Sequence, residues 1–380
     1  MESVALIAVI LALLTEIISG ATITGPTAPL IAGISSANLS CQATAGTITS
    51  RQWLKDGQPL SPSNRTTISE DNSFVSIDPV EGSDNGEYQC TLINPVSDDT
   101  ASYNLIVNYG PQDVVIQGER EVEVGQRVEL KCSALSIPPA TFTWTVNGTE
   151  TDVKTAEYTI EKATHGNSGD YICVASNAVT ESTQASPVHV LAVYERISGA
   201  TITGPTAALT AGNSSANLSC QATAGTISSR QWLKDGQPLS PSNRITISGD
   251  KSSVSINPVE GSDNGEYQCT LINPVSTETV SYALTVIYGP LDAVILGEDT
   301  AAVGSTVVLY CSAPSVPPPA FAWEVNGTQT GVRTAVYVIE MSNDTDSGTY
   351  ACLATNDVTG LSASARHELT VKGEMQKRIL

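Results

Sequence analysis

Four cysteine pairs, each placed by the same rule, constrain this chain more than any other feature. In every pair a tryptophan follows the first cysteine by twelve residues, and a tyrosine precedes the second cysteine by two. The two cysteines of a pair lie 49, 41, 49 and 41 residues apart, in chain order. The pairs are Cys41 and Cys90, Cys132 and Cys173, Cys220 and Cys269, and Cys311 and Cys352; the tryptophans are Trp53, Trp144, Trp232 and Trp323; the tyrosines are Tyr88, Tyr171, Tyr267 and Tyr350.

This spacing predicts an all-β fold, a tandem array of four immunoglobulin-like sandwiches of constant or intermediate type. In such a sandwich the disulfide joins strand B of one sheet to strand F of the other, and the strand C tryptophan packs on it. The tyrosine hydroxyl closes the corner before strand F. We expect each disulfide to add ~3–4 kcal/mol of stability, and the short separations to leave no room for the C′ and C″ strands of a variable-type domain.

The chain is also a unit of two domains written twice, with an offset of 179 residues. Between residues 18–109 and 197–288 there are 15 differences, whereas the second domain of each unit has diverged further. The repeat fixes the predicted organisation. It is a signal peptide at 1–20, domain 1 at 21–109, domain 2 at 110–195, domain 3 at 196–288, domain 4 at 289–372 and a polar tail at 373–380.

The apolar run Val4–Leu14 predicts a cleaved secretory signal, since it is too short to span a bilayer. Small residues at Ser19, Gly20 and Ala21 suit signal peptidase. Because Glu16 already has a repeat counterpart at Glu195, cleavage is expected between residues 16 and 21. No later segment predicts a transmembrane helix or a lipid-anchor tail.

Net charge and composition argue against several classes of function. The 380 residues carry a net charge of −21, which argues against nucleic-acid binding because phosphates require a basic surface. The three histidines, His165, His189 and His367, have no metal-ligand spacing, and no nucleophile or phosphate-loop motif accompanies them. We therefore predict no catalytic, metal or cofactor site, and all eight cysteines are expected in disulfides.

In domains 1, 3 and 4, an aspartate four residues before the corner tyrosine needs a cationic partner. In domains 1 and 3, Arg65 and Arg244 are predicted to pair with it, and Arg333 is expected to do so in domain 4. Domain 2 has Asn167 at this corner and Lys154 in place of the arginine. A looser corner is therefore expected in that domain.

Motifs at the domain junctions resemble one particular family. Asn94-Pro95-Val96-Ser97 follows the second cysteine of domain 1, Tyr109-Gly110-Pro111 stands at the junction, and both recur in domain 3. Together with the alternation of 49 and 41, they resemble the carcinoembryonic-antigen-related cell adhesion molecules, with alternating A-type and B-type domains. The resemblance implies a glycosylated adhesion protein. It departs from the family in the absence of the outer variable-type domain, which usually holds the adhesive contacts.

Two further sets of surface residues are candidates. Outward apolar residues on the C–F–G sheet could form a contact face, or could be isolated exposed side chains without a function, which is the commoner case. Sequons in an exported chain are candidate N-glycosylation sites. The possible contact face comprises Leu54, Ile93, Leu233 and Ile272, and the sequons are at Asn38, Asn64, Asn147, Asn213, Asn217, Asn326 and Asn343.

The sequence therefore predicts an extracellular, non-enzymatic adhesion or recognition protein, at the cell surface or secreted. Its partners would be cell-surface proteins, including a copy of the same protein on an opposing cell, bound through sandwich faces. Any membrane association would need an anchor that this chain does not encode. Two alternatives stay open: a secreted decoy or binding protein, and a spacer stalk of a larger receptor.

Overall fold

The computed structural model describes residues 16–373, so the predicted signal segment Val4–Leu14 and nearly all of the predicted tail lie outside the described residues. The chain divides into two compact units, one ending at Val193 and the other beginning at Tyr194. Each unit holds two β-sandwiches, as the cysteine pattern predicts. Within residues 16–373, no helix is long and apolar enough to cross a membrane.

Domain 1 is a sandwich of two antiparallel sheets. One sheet has the order β1-β3-β7-β6 and the other β5-β4-β8-β9, while β2 runs parallel to the start of β10. A 3₁₀ turn at Gly82–Asp84 precedes strand β8. The strands are β1 Thr22–Thr24, β2 Leu30–Ile31, β3 Ala37–Gln42, β4 Ser50–Lys55, β5 Gln58–Pro59, β6 Thr66–Ile68, β7 Phe74–Ile77, β8 Gly86–Asn94, β9 Ser97–Leu105 and β10 Val107–Gln117.

Strand β10 leaves domain 1 and becomes the first strand of domain 2, so no linker separates the two domains. Its later residues pair with β12, which pairs in turn with β15. The second sheet has the order β11-β18-β16-β13-β14, and β17 pairs with β16. The strands are β11 Glu121–Glu123, β12 Val128–Ile137, β13 Thr141–Val146, β14 Thr149–Glu150, β15 Glu157–Ile160, β16 Gly169–Asn177, β17 Ser182–Ala185 and β18 His189–Tyr194, with a 3₁₀ turn at His165–Asn167.

The second unit repeats this plan. Domain 3 has sheets β19-β21-β25-β24 and β23-β22-β26-β27, and domain 4 has sheets β29-β31-β34 and β30-β36-β35-β32-β33. The strands of domain 3 are β19 Thr201–Thr203, β20 Leu209–Thr210, β21 Ala216–Gln221, β22 Ser229–Lys234, β23 Gln237–Pro238, β24 Ile245–Ile247, β25 Ser253–Ile256, β26 Gly265–Asn273, β27 Ser276–Leu284 and β28 Val286–Ile287, with a 3₁₀ turn at Gly261–Asp263. Those of domain 4 are β29 Val294–Leu296, β30 Thr300–Ala302, β31 Val307–Ser312, β32 Ala320–Val325, β33 Thr328–Gln329, β34 Val336–Ile339, β35 Gly348–Asn356 and β36 Leu361–Lys372, with a 3₁₀ turn at Asp344–Asp346.

Each core follows from strict alternation along the strands. In β3, for example, Ala37, Leu39 and Cys41 are buried while Asn38 is exposed, because successive side chains of a strand point to opposite faces. The four cores form separate clusters, each centred on a disulfide and its tryptophan. The sandwiches are thus four independent hydrophobic cores rather than one continuous core.

One sequence expectation about the strands is wrong. A two-residue C′ strand follows strand C in every domain, at β5, β14, β23 and β33. It forms because a tight turn after strand C, such as the one at Asp56 with positive φ, brings the chain back into register with strand C. Short separations of the cysteines therefore leave room for C′.

Domain 1 also begins earlier than the boundary at residue 21. Ile18 is buried in its core, and Ser19 forms a β-bridge with Ala45. The backbone N–H of Ile18 donates to the hydroxyl of Ser97 at 2.8 Å. Ile197 of domain 3 makes the same contacts with Ser276. Packing therefore places residues 18–20 inside the folded domain.

Candidate functional site

The framework of each domain is a buried disulfide with a tryptophan beside it. The Cα atoms of the four cysteine pairs lie 6.3–6.5 Å apart, and no described cysteine is free. Each indole N–H donates to a backbone carbonyl across the core, for example from Trp53 to Asn72 at 2.8 Å and from Trp144 to Thr155 at 2.9 Å. Because the donor is satisfied, the indole can be buried without the penalty of an unpaired polar group.

Every corner tyrosine makes the expected bond. The hydroxyl of Tyr88 donates to the carbonyl of Asp84 at 3.1 Å, and that of Tyr171 donates to the carbonyl of Asn167 at 2.8 Å. The same bond recurs at Tyr267 and Tyr350. Burial raises the pKa of Tyr171 to about 12, since the ionised phenolate would lose its hydration. These tyrosines are structural groups with no free hydroxyl for chemistry.

The predicted arginine–aspartate pairs form in domains 1 and 3. Arg65 contacts the carboxylate of Asp84 at 2.6 and 3.3 Å, and Arg244 contacts that of Asp263 at 2.8 and 3.4 Å. This bidentate geometry is the strong form of an ion pair, and it raises the pKa of each guanidinium.

The expectation for Arg333 is wrong. Arg333 is exposed and makes no ion pair with Asp346 within residues 16–373, although the carboxylate of Asp346 accepts the backbone N–H of Asn343 just as Asp84 accepts that of Glu81. Arg333 lacks this ion pair because domain 4 has no strand D. In domain 1 the arginine directly precedes β6, which holds it against the corner, whereas the shorter domain 4 has no such strand in its three-stranded sheet. In domain 2, Lys154 is likewise turned to Glu150, at 2.8 Å.

The sequence reasoning included Asn94 in a junction motif but missed that an asparagine is buried at this position in all four domains. An asparagine ends strand F four residues after the second cysteine of every domain, and all four are buried. Asn177 donates to the carbonyls of Tyr109 at 3.2 Å and Ile137 at 3.0 Å. Asn94, Asn273 and Asn356 likewise hold the segment that enters their domains. The constant spacing from cysteine could have revealed them.

The junction motif fixes domain 2 against domain 1. A Cβ on Gly82 would lie 2.9 Å from the ring of Tyr109, so the glycine permits the ring to pack on the 3₁₀ turn. Gly110 has a φ of 76°, which favours glycine, and its carbonyl accepts the hydroxyl of Thr180 at 2.7 Å. The motif residues that suggested a family are therefore residues that position one domain on the next.

The structure does not bring the predicted contact residues together. Leu54 and Ile93 do point away from the core, but both are half-buried. In the strand register Leu54 lies opposite Gln89 while Ile93 lies opposite Ser50, four residues further along strand F. Leu233 and Ile272 are arranged in the same way. Each leucine and isoleucine is therefore a separate half-exposed side chain rather than half of a pair.

All seven sequon asparagines are exposed. Asn38 and Asn217 lie on strand B and point away from the core, as their alternation predicts. Asn147 and Asn326 lie in tight turns with positive φ, and each side-chain oxygen accepts a backbone N–H of strand F. The described part of the chain holds no cluster of His, Cys, Asp or Glu that could bind a metal ion.

Comparison with known families agrees with this geometry. The immunoglobulin I-set domain matches residues 29–107 and 201–286, and the immunoglobulin domain Ig_3 matches residues 111–177 and 294–356. Together these ranges cover most of the chain. The chain belongs to the immunoglobulin superfamily. Within the superfamily, the two domains that match the I-set are those with a strand D, and the two that match the other family lack it.

The chain matches curated relatives that are much longer than itself. The chain is 27% identical to mouse hemicentin-2 over 84% of its own length but only 7% of hemicentin-2. It is 26% identical to mouse neural cell adhesion molecule 1 over 66% of its length and 24% of that protein. It thus spans a small part of either relative. A structure of Sidekick-1 immunoglobulin domains 1–5 covers 94% of the chain and is itself covered over 78%, at 21% identity, with a TM-score of 0.38 that adds nothing to the fold assignment.

Proposed function

We propose that this chain is an extracellular adhesion or recognition protein that binds other proteins through the faces of its sandwiches. The observation that carries the proposal is the framework itself. Four domains are each closed by one buried disulfide, and the described residues contain no metal cluster. Such disulfides persist in oxidising compartments, so the proposal places the chain outside the cell, at the surface or secreted.

The proposal includes a non-catalytic role. Catalysis requires a nucleophile, an acid or a base held within reach of a reacting atom. Here the corner tyrosines donate to backbone carbonyls and the cysteines are paired. His165 lies beside the carbonyl of Val193 at 3.2 Å, and His189 lies beside that of Glu119 at 2.9 Å. The corner tyrosine hydroxyls and the cysteine sulfurs are therefore occupied by the fold.

The proposed mechanism of binding is the reversible docking of sandwich faces on those of a partner. A single contact between sandwich faces is small, and avidity from several contacts strengthens it without new interactions. The half-buried Leu54, Ile93, Leu233 and Ile272 are proposed as contacts in domains 1 and 3. Because they are separated along the sheet, each would contribute as a single apolar anchor within a polar surface.

A finer assignment, to the carcinoembryonic-antigen-related cell adhesion molecules, rests on the junction motifs and on the alternation of 49 and 41 residues between paired cysteines. Those motifs act here as structural joints, through Tyr109 against the 3₁₀ turn and Thr180 on the carbonyl of Gly110. Joints of this kind suit any tandem array of sandwiches. The comparisons support the superfamily but not that particular family.

Bead aggregation tests the proposed function. The full secreted chain is tethered by one end to fluorescent beads, which are mixed with each other and with cells. We expect beads to cluster, or to bind cells, more than beads carrying chain that has been reduced and alkylated. The doubly substituted chain Leu54→Asp with Leu233→Asp tests the proposed contacts. Beads that neither cluster nor bind any cell type would refute adhesion and favour the spacer role.

A further inference from the structure

We propose that an N-linked glycan on Asn213 docks in an apolar groove at the junction of domains 3 and 4 and joins the two domains. The inference rests on the proposed function, because only an exported chain meets the enzymes that attach such glycans. It goes further by giving one sequon a structural role. We call the surface the junction groove; it has a volume of about 480 Å³ and is lined by residues of both domains.

The walls of the junction groove are apolar and come from both domains. Ile287 and Tyr288 lie at the end of domain 3, whereas Leu291 and Leu361 belong to domain 4. Leu361 packs over the junction, since a Cβ on Gly289 would lie 2.6 Å from the Cβ of Leu361. Leu291 and Leu361 nevertheless remain 49% and 57% exposed. Two half-exposed leucines in one groove form an apolar surface that an occupant can cover.

Asn213 stands at the rim of this groove. Residues 210–212 line the groove, and Asn213 follows them directly. Consecutive Cα atoms are about 3.8 Å apart, so the first sugar on Asn213 begins beside the groove. Asn213 is exposed, and within residues 16–373 its side-chain amide makes no hydrogen bond. Its nitrogen is therefore accessible for attachment of a sugar.

The sister junction of the first unit indicates where this side chain points. There Ile34 takes the place of Asn213, and it lines the corresponding groove beside Ser182 of domain 2. The two turns have the same backbone, because Gly33 and Gly212 have φ values of 75° and 81°. Each of these glycines also donates its N–H to a valine carbonyl at 2.7 Å. The side chain of Asn213 therefore leaves its turn toward the domain 4 residue that corresponds to Ser182.

The two junctions differ at the turn and in the wall together. Polar residues of the first unit replace both leucines of the second, Gln112 for Leu291 and Ser182 for Leu361. The exposed Leu135 of the first unit lines a neighbouring groove that does not include Ile34. The junction that has a sequon at the turn thus has the apolar wall beside it, and the junction that lacks the sequon has a polar wall. This correlation between related units assigns the glycan as the occupant.

The core sugars of an N-linked glycan suit this groove chemically. Each N-acetylglucosamine has a face of C–H groups and an acetyl methyl group that can pack on leucine and tyrosine, while its hydroxyls remain at the open side. Such burial stabilises by about 25 cal/mol per Å² of apolar surface. Because the core sugars are uncharged, the net charge of −21 does not oppose docking. Covalent attachment gives the glycan a high effective concentration, so a small contact area is sufficient.

A docked glycan connects domain 3 to domain 4. It is attached to domain 3 at Asn213 and contacts Leu291 and Leu361 of domain 4, so separating the domains exposes both the sugar and the leucines to water. It also covers an apolar surface that would otherwise be open to non-specific association. The first unit, which has no sequon at this turn, does not make this contact.

Site-resolved deglycosylation of the full secreted chain tests the docking. The chain is produced in cells that attach N-linked glycans, and a peptide N-glycosidase releases them from the native protein. Release converts each asparagine to aspartate, which mass spectrometry reads site by site. We expect release from Asn213 to be at least about tenfold slower than from Asn217, each rate being normalised to that of the denatured chain. Tenfold corresponds to about 1.4 kcal/mol of docking free energy, or to about 55 Å² of buried apolar surface.

The sister unit supplies the variant that removes the wall. Leu291→Gln with Leu361→Ser places the residues of the first unit in the junction groove. Release from Asn213 should then rise to the rate of Asn217. Thermal melting shows whether the variant is folded, and the rate at Asn217 reports any general change in access of the enzyme.

The reverse construction leaves domain 4 unaltered. Ile34→Asn completes a sequon with Ser36 and adds a glycan at the turn of domain 1, where the wall is polar. Its release should be as fast as that from Asn38, which lies on an exposed strand position of the same domain. Adding Gln112→Leu with Ser182→Leu should slow its release by about tenfold.

Three results overturn the inference and leave the proposed function intact. They are an Asn213 without glycan while other sequons carry one, release from Asn213 as fast as from Asn217, and release from Asn213 that the double leucine variant does not change. In each case glycans at the other sequons still show that the chain is exported. Absence of glycan from every sequon would instead count against both the extracellular location and the inference, and the bead assay would decide adhesion separately.

Discussion

The asparagine that ends strand F offers the sharpest prediction about stability. The Asn177 side chain is 2% exposed, and its amide nitrogen lies within 3.3 Å of the hydroxyl of Ser136 and the carbonyls of Tyr109, Ile137 and Pro138. Its oxygen accepts two backbone N–H groups of the following turn, at 2.9 and 3.2 Å. Asn177→Ala leaves these buried groups without their partner, which is costlier than the net value of the bonds themselves.

The expected loss of stability follows from the number of hydrogen bonds that the substitution removes. A buried donor or acceptor left unpaired costs about 1–3 kcal/mol, and the nearby Ser136 hydroxyl still contacts two of the carbonyls. We therefore expect a loss of roughly 2–4 kcal/mol in the unfolding free energy of domain 2, a large fraction of the stability of a domain this size. Asn356→Ala should cause the same loss in domain 4, since its contacts match.

Hydrogen exchange read by mass spectrometry resolves the effect domain by domain. Protected amides of β12 and β16 should exchange roughly 30-fold to several hundred-fold faster in Asn177→Ala, with domains 3 and 4 unchanged. Gln184→Ala, at an exposed position of β17, is the matched control and should change little. If the exchange of domain 2 stays within about threefold of wild type, the reasoning from buried partners is wrong.

Three further predictions concern single residues. Arg65→Met should lower the unfolding free energy of domain 1 by about 1.5–3 kcal/mol in urea unfolding, because Asp84 loses its partner. Arg333→Met should have no measurable effect on domain 4. Equal losses of stability in the two variants would contradict the assigned ion pairs. Mass spectrometry of the secreted chain should find an N-terminus before Ile18, and Ile18→Asp should reduce secretion; a mature chain that starts after residue 20 and is equally stable would refute its core role. Hydrogen bonds, of which that from Ser73 has the largest effect, lower the pKa of Asp71 to about 2. Its stabilising contribution is therefore present above about pH 4 and is lost as the pH falls through about 2. An NMR titration midpoint near 3.8 for Asp71 would contradict this prediction.

The fold and much of its framework could be predicted because the relevant signals are local or periodic. Cys41 and Cys90, with Trp53 between them, mark strands B, C and F, and alternation along β3 shows which side chains are buried. Arg65 beside Asp84 could be inferred from charge alone. Arg333 could not, because its position depends on a strand D that domain 4 does not form, and no local pattern reports the absence of a neighbour.

Surface residues also differ in whether their placement follows from the sequence or depends on strand pairing. Sequence alternation placed Leu54 and Ile93 on one side of the sheet, but only the register put them opposite different residues and separated them. Conversely, Leu296, Val308 and Val338 lie far apart along the chain, and each reads singly as an ordinary exposed apolar residue. Pairing of β29, β31 and β34 joins them into one face. A surface patch depends on which strands are neighbours, and that is decided by long-range hydrogen bonding.

By itself the sequence determined that this chain is four disulfide-closed sandwiches in two related units, with an acidic surface unsuited to nucleic acid. Those properties depend on spacing, periodicity and total charge, which are fixed along the chain. The tertiary structure alone decided where domain 1 begins, which corner arginines find a carboxylate, and where apolar residues form a face. Each of these depends on contacts between segments distant in sequence, whose free energy exists only once the sheets have paired.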